Sequence, residues 1–255
     1  FPDIDDEEIS CSLVRAQEMS KYIEAGTLDL GLTGHDWVIE NESDVVVVED
    51  LVYSKVLAKP ARWVLVVRED SPITKIEDLQ GRKISTELVS FTKRYFKERN
   101  IDVKVEFSWG ATEAKVVEEL VDAVVEVTET GSTIKANRLR IVHELMRTNT
   151  QLIANREAWD DPWKRRKIEQ IRTMLKGSLL GMGKVVIKMN VSKENLGRVI
   201  LLLPSLKAPT ISNLYNEEWF AVETVVDSNV IRDLIPLLQE AGAEGIIEYA
   251  LNKVV

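Results

Sequence analysis

Asp122-Ala123-Val124-Val125-Glu126-Val127-Thr128-Glu129-Thr130-Gly131-Ser132-Thr133-Ile134-Lys135-Ala136-Asn137 is the stretch from which the rest of the chain can be read. An apolar run of strand length, Ala123 to Val127, meets a turn of small polar residues, and a helix starts near Ser132. Strand, tight turn and helix in this order form the repeating unit of an α/β protein. The turn also has chemical character. Gly131 lets a ligand approach the backbone, successive N–H groups can form an anion nest, and Thr130, Ser132 and Thr133 add hydroxyls. Carboxylates at Asp122 and Glu126 can accept from a ribose diol. Acid followed by Thr-Gly-Ser-Thr therefore suits a ribose 5-phosphate. An ordinary capped helix, with Ser132 or Thr133 at the N-cap and the acids solvated, would show the same pattern. On this loop alone both readings stay open.

Outward from the loop, strands and helices alternate, which favours an α/β sheet with parallel strands. Before it come helix 17–25, strand 28–32, the turn Thr33-Gly34-His35-Asp36, strands 45–48 and 63–67, strand 83–85, helix 90–99, strand 103–107 and helix 113–120. After it come strand 151–154 and a charged helix, 161–176. Beyond Gly177 the pattern changes to strand 184–190, helix 193–202, strands 210–213 and 219–226, helix 230–241 and strand 246–251. That β-α-β-β-α-β order is ferredoxin-like.

Composition limits the function. The 255 residues suffice for two or three modest domains. A net charge of −9 argues against a nucleic-acid partner. The longest apolar runs are strand-sized, so no membrane span is expected. No basic-then-apolar leader precedes Phe1, which suggests a cytoplasmic location. The single Cys11 excludes an internal disulfide, and it lies in a strand-like run, 9–14, where a packed core thiol is expected. With only His35 and His143, neither histidine-rich metal chemistry nor a Ser-His-Asp triad is expected.

The loop is similar to the phosphoribosyl-pyrophosphate loop of ATP phosphoribosyltransferases, in the pattern Asp-Ala-x-x-acid-x-x-Glu-Thr-Gly-x-Thr-x-x-Ala-Asn. Four further segments resemble that family in the same order. They are Arg15-Ala16-Gln17-Glu18-Met19, Gly26-Thr27-Leu28-Asp29-Leu30-Gly31-Leu32-Thr33-Gly34-His35-Asp36-Trp37, Lys83 to Glu87 with Thr92 to Phe96, and Leu203-Pro204-Ser205-Leu206-Lys207-Ala208-Pro209-Thr210-Ile211-Ser212, which resembles the signature of the long, histidine-regulated form. The chain departs from the family in two places. A strand and a Lys-Gly-Arg turn that normally come first are not in this sequence, and the family's Gly-Ser-Val-Glu-x-Ala-Pro reads Gly110-Ala111-Thr112-Glu113-Ala114-Lys115, without the proline.

The resemblance implies a two-lobed, periplasmic-binding-protein-like catalytic core and a C-terminal ferredoxin-like (ACT-like) regulatory domain. Lobe I would span 1–68 and 150–177, lobe II 69–149, and the regulatory domain 178–255. Glu129, Thr130, Gly131, Ser132 and Thr133 would hold the 5-phosphate, with Asp122 and Glu126 beside the ribose hydroxyls as the catalytic acids. Gly31, Gly34 and Asp36 would line the ATP side, and Arg15 and Glu113 would border the cleft. The reaction implied is attack of adenine N1 of ATP on the anomeric carbon of phosphoribosyl pyrophosphate. Mg2+ would accompany the pyrophosphate, and no metal site is expected in the protein. Histidine would inhibit by binding beside Asn190, Leu206, Thr210 and Gly245. Subunits would assemble from dimers into hexamers. A two-lobed solute-binding or amino-acid-binding protein without catalysis is the alternative reading.

Overall fold

The computed structural model describes residues 4–52, 60–110, 112–204 and 208–255. The chain divides into two compact units, Phe1–Arg172 and Thr173–Val255.

The first unit is built on two sheets. One has three strands in the order β1 (Leu30–Gly34), β8 (Thr150–Ala154), β2 (Val46–Leu51), with β8 antiparallel to both neighbours. Helix α1 (Ala16–Glu24) covers it with Met19, Ser20 and Ile23, residues spaced to share one helical face. Ile23 packs with Met19 and the buried Ile153 of β8. One side chain ties off two helices here. The Asn155 amide N–H donates to Ile23 O at 2.8 Å, and its Oδ1 accepts from Glu157 N at 2.9 Å and Ala158 N at 3.2 Å. It thereby serves a carbonyl at the end of α1 and caps the start of α6 (Arg156–Asp160).

The second sheet has five strands in the order β5 (Lys104–Phe107), β4 (Lys83–Thr86), β6 (Ala123–Thr128), β3 (Ala61–Arg68), β7 (Leu139–Thr148). Only β4, β5 and β6 are mutually parallel, while β3 runs antiparallel to β6 and β7. The parallel sheet expected from the alternation is therefore confined to the strands joined by crossover helices, α3 (Val89–Lys97) and α4 (Thr112–Val117). β3 is a continuous apolar strand because both its faces are buried. Trp63, Leu65 and Val67 face a cluster with Phe96 and Val125, and Val64 and Val66 face one with Val116 and Val124. Two boundaries differ from the sequence reading. Residues 61–68, assigned to lobe I, pair inside the sheet of lobe II, and the compact units part at Arg172 rather than at 177. β7 was not anticipated; its burial does not alternate cleanly because it is an edge strand with register shifts against β3. Residues 9–14 form no strand, and Cys11 is half-buried rather than in a core.

The two sheets are fastened through α2 (His35–Asn41). The Glu40 carboxylate accepts from Ser90 N at 2.9 Å and Phe91 N at 2.8 Å at the start of α3, where a helix favours an anion.

After helix α7 (Pro162–Gly181) the chain forms β9 (Lys184–Ser192), α8 (Leu196–Leu202), β10 (Thr210–Asn213), β11 (Trp219–Asp227), α9 (Ile231–Glu240) and β12 (Ala243–Ala250), all in the second unit. Its four strands lie in the order β10-β11-β9-β12, each antiparallel to its neighbours. Alternate residues of β9, Val185, Ile187, Met189 and Val191, are buried with Leu234 and Leu238 of α9.

Candidate active site

Successive residues of β6 face opposite sides of the sheet, and Glu126 has the parity of Val124. Its side chain therefore prolongs the apolar face made by Val64, Val116 and Val124 to the carboxyl end of the strand. One carboxylate oxygen, Oε2, is buried with no hydrogen-bond partner among the described residues. Glu113 of α4 stands one turn before Val116, which anchors that helix in the same cluster. Glu87 follows β4, the parallel neighbour of β6. Burial first, then the proximity and negative charge of Glu113, then the charge of Glu87, push the Glu126 carboxyl up to about 8.

A cavity of about 210 Å³ opens here, with Asp36, Trp63, Glu87, Gly110, Thr112 and Glu126 among its walls. Asp36 is 6% exposed. Its Oδ1 accepts from Trp37 N at 3.0 Å and its Oδ2 from Trp63 Nε1 at 2.7 Å, while its own N–H donates to Thr148 Oγ1 at 3.1 Å. Neither Gly31 nor Gly34 lines the cavity; Gly34 leaves room for the Asp36 carboxylate of the wall, and Gly31 leaves room for Met19 in the core beneath α1. A Cβ on Gly34 would stand 2.0 Å from Asp36 Oδ1, and one on Gly31 would stand 2.5 Å from Met19 Sδ.

Two residues past the cavity wall at Val127 the turn begins. Gly131 has φ +76°, the left-handed region. Its N–H donates to Thr128 Oγ1 at 2.8 Å, and Thr130 Oγ1 donates to Ser132 Oγ at 2.9 Å. Glu129, Thr130, Ser132 and Thr133 are exposed, whereas Ile134 of α5 (Ser132–Ala136) is buried against β6 and anchors the loop. Hydroxyls and main-chain groups are thus presented at the same end of the sheet as the three glutamates.

Asp122 is not brought to Glu126. It precedes β6, four residues or about 13 Å of strand away. There it accepts from Arg82 Nη1 at 3.1 Å and Lys83 N at 2.8 Å. It lines a larger cavity, about 510 Å³, at the amino ends of β4 and β6. Of the charged residues there, Arg68 is paired with Asp70 and Glu119, and Arg82 with Asp122. Ligands of open α/β sheets bind at the carboxyl ends of the parallel strands, so the smaller cavity is the candidate site. The spacing that placed Asp122 and Glu126 together on the ribose overlooked that a strand carries them to opposite ends of the sheet.

Arg15, at the N-cap of α1, lies with its guanidinium carbon 5.1 Å from the centroid of the Trp109 ring. Among the described residues no group of three or more His, Cys, Asp or Glu side chains is placed to hold a metal ion. In the second unit the structure brings Asn190 and Gly245 together. Asn190 pairs with Glu244, and a Cβ on Gly245 would stand 3.8 Å from Asn190 Nδ2. Thr210 begins β10, the opposite edge strand, and Leu206 lies outside the described residues.

The sequence reading missed Gln17, Trp63 and Glu87 as cavity residues. Glu87 carried the same signal as Glu126, an acid ending a buried strand. Trp63 read as core, which it is for its ring; only the buried carboxylate of Asp36 explains its N–H.

Comparison with known proteins gives the family. The family profile described as ATP phosphoribosyltransferase matches residues 15–177, and that described as HisG, C-terminal domain, matches residues 182–253. The chain is 65% identical over all 255 residues to ATP phosphoribosyltransferase of Solidesulfovibrio magneticus, covering 87% of that protein. It is 60% identical over the same length to ATP phosphoribosyltransferase 1 of Geobacter sulfurreducens, covering 88% of it. Among solved structures it resembles the ATP phosphoribosyl transferase (HisG:HisZ) complex from Thermotoga maritima. There the TM-score is 0.59 at 24% identity, over 67% of this chain and 80% of that one, a likeness of fold. The matches run through both units and through the acid-and-turn segment, and this chain belongs to the ATP phosphoribosyltransferase family.

Proposed function

We propose that this protein transfers the phosphoribosyl group of phosphoribosyl pyrophosphate to N1 of the adenine of ATP, giving phosphoribosyl-ATP and pyrophosphate, the first step of histidine biosynthesis. The bond from N1 to the anomeric carbon forms as the bond to pyrophosphate breaks, and the electron pair leaves with the pyrophosphate. The observation that carries the reading is Glu126, a half-buried carboxyl beside Glu113 and Glu87, followed within five residues by the left-handed turn at Gly131. The turn and the hydroxyls of Thr130, Ser132 and Thr133 take the 5-phosphate, with Glu129 at its border. Glu126 and Glu113 accept from the ribose hydroxyls, and Glu126, once ionised, favours the positive charge that develops at the anomeric carbon. Asp36 lies toward the side that ATP enters, and Arg15 borders the cleft beside Trp109. Such a displacement needs positioning and charge rather than a protein nucleophile. Mg2+, bound with phosphoribosyl pyrophosphate, would supply charge neutralisation for the pyrophosphate group.

The rest of the reading rests on the family. Two sheets in the first unit, linked between β2 and β3 and again between β7 and β8, support a two-lobed, periplasmic-binding-protein-like core. The strand order of the second unit supports a ferredoxin-like, ACT-like regulatory domain, with histidine held beside Asn190 and Gly245. Assembly from dimers into hexamers and a cytoplasmic location go with it; among the described residues no helix is long and apolar enough to cross a membrane.

The test mixes the protein with ATP, phosphoribosyl pyrophosphate and Mg2+. Release of pyrophosphate together with a new adenine-derived absorbance is expected. Binding of both compounds without pyrophosphate release would make this a binding protein instead.

A further inference from the structure

We propose that Trp109 is the platform for the purine of ATP, stacking the base on one ring face while Arg15 steadies the other. The inference rests on the reaction proposed above and names where the acceptor base lies.

The cavity at Glu126 holds about 210 Å³, short of the roughly 300–1,000 Å³ of pockets that enclose a drug-sized ligand. It can take the sugar of one substrate, and the second substrate must then lie on its rim. The rim carries an exposed aromatic pair that the core does not account for. Phe107 ends β5 at 55% exposure and Trp109 follows at 62%, with ring centroids 6.0 Å apart and planes inclined at 54°. Large aromatic rings so far from a core commonly mark a binding surface. Both ends of the arrangement adjoin the cavity. Gly110, next to Trp109, is in its wall, and so is Gln17, two residues after Arg15. Gly110 has φ +63°, a turn that lets the chain bend from the platform into the wall.

Arg15 covers one face of the indole, its guanidinium carbon 5.1 Å from the ring centroid, a cation over a π-face. The exposure of Trp109 leaves the ring surface available on the other side. A purine offers a matching flat π-surface. Stacking on an aromatic side chain strengthens binding by about tenfold per base, and by more in the better cases. Phe107, tilted against the indole, limits its swing. Arg15 opens the helix that covers the three-stranded sheet and Trp109 follows β5 of the five-stranded one, so the base would be held by residues from both.

Steady-state kinetics of the full chain test this with Trp109→Ala and Trp109→Phe. The alanine variant is expected to raise the KM for ATP about tenfold while the KM for phosphoribosyl pyrophosphate stays within about twofold. The phenylalanine variant should recover most of the loss, because it keeps a stacking face. An ATP KM within about twofold of the parent for Trp109→Ala, at unchanged melting temperature, overturns the platform, as does an equal rise in both KM values. A fluorescence titration with ATP alone separates this inference from the reaction itself. ATP should quench an emission component that Trp109→Phe lacks, whether or not the protein turns over. No turnover with that quenching intact counts against the reaction and for the platform; identical quenching in the parent and Trp109→Phe counts against the platform.

Discussion

The indole N–H of Trp63 donates to the Asp36 carboxylate at 2.7 Å, joining the five-stranded sheet to the first turn of α2 inside the wall of the candidate active site. Both partners are nearly excluded from solvent, Trp63 at 3% and Asp36 at 6% exposure. A hydrogen bond to a charged group contributes about 1.5–3 kcal/mol, and a buried acceptor that loses its donor keeps its desolvation cost. Trp63→Phe retains most of the ring packing and removes the N–H. It should lower the stability of the first unit by about 2 kcal/mol, read as a lower urea midpoint. An unchanged midpoint would mean that water replaces the indole at no cost.

Glu126 links stability to pH. Its value in the folded protein, about 8, lies above the ordinary 4.5 of a glutamate. Between those pH values the folded protein holds a proton that the unfolded chain releases. The favourable contribution of this group is intact below about pH 4.5 and is lost as pH rises through 8. Glu126→Gln never ionises, so its stability relative to the parent should rise steadily from pH 5 to pH 8. Urea midpoints of the two proteins across that range provide the check, and the difference cancels the other carboxylates. Parallel curves would show that Glu126 ionises normally.

The same proton should leave when the sugar arrives. Ribose hydroxyls donate to a carboxylate and so favour its ionised form. Binding of phosphoribosyl pyrophosphate near pH 7 should release protons from the parent protein, and fewer from Glu126→Gln. Calorimetric titrations in two buffers of different ionisation enthalpy count them. Equal release by both proteins would place the ribose away from Glu126.

Asp122 and Glu126 should separate in kinetics although four residues part them in sequence. Asp122 holds Arg82 and the Lys83 N–H at the amino end of the sheet, so Asp122→Asn should weaken that corner by about 1 kcal/mol. Its kcat/KM should stay within about threefold of the parent. Glu126→Gln should lower kcat by about tenfold or more. Comparable losses of turnover in both variants would bring Asp122 back into the chemistry.

These pairs show what could be read before the structure and what could not. Gly131 was legible because a left-handed turn after a strand leaves few residues to choose from, and the acid run before it pointed to a sugar. The ends of the parallel strands were not legible from spacing. Nothing local in Asp122-Ala123-Val124-Val125-Glu126 says which acid meets the ligand until the crossover helices fix the strand direction. β3 was readable as a buried strand from its unbroken apolar run, but not as a member of the five-stranded sheet, since antiparallel pairing to β6 and β7 depends on residues up to 87 positions away, as Ala61 from Thr148. Thr210 and Gly245 matched one motif set and lie on opposite edges of one sheet, a separation that only the strand order reveals.

Two glycines of the site should respond differently to alanine, because they are small for different reasons. Gly131 has room for a methyl group, whose nearest neighbour would be Ile141 Cδ1 at 3.8 Å, but its φ of +76° disfavours any L side chain by about 1–2 kcal/mol. Gly131→Ala should therefore fold with a modest loss of stability and a turn pulled out of shape. Its KM for phosphoribosyl pyrophosphate should rise several-fold, with that for ATP little changed. Gly34 has an ordinary φ of −77°, yet its added Cβ would stand 2.0 Å from Asp36 Oδ1. That carboxylate is held by Trp37 N and by Trp63 Nε1 and cannot withdraw without breaking one of those bonds. Gly34→Ala should thus cost more than Gly131→Ala, about 2–3 kcal/mol, and should blunt the further effect of Trp63→Phe, since both act through Asp36. A double-mutant cycle on urea midpoints measures that coupling. Strict additivity would show that Gly34 and Trp63 do not meet at one carboxylate.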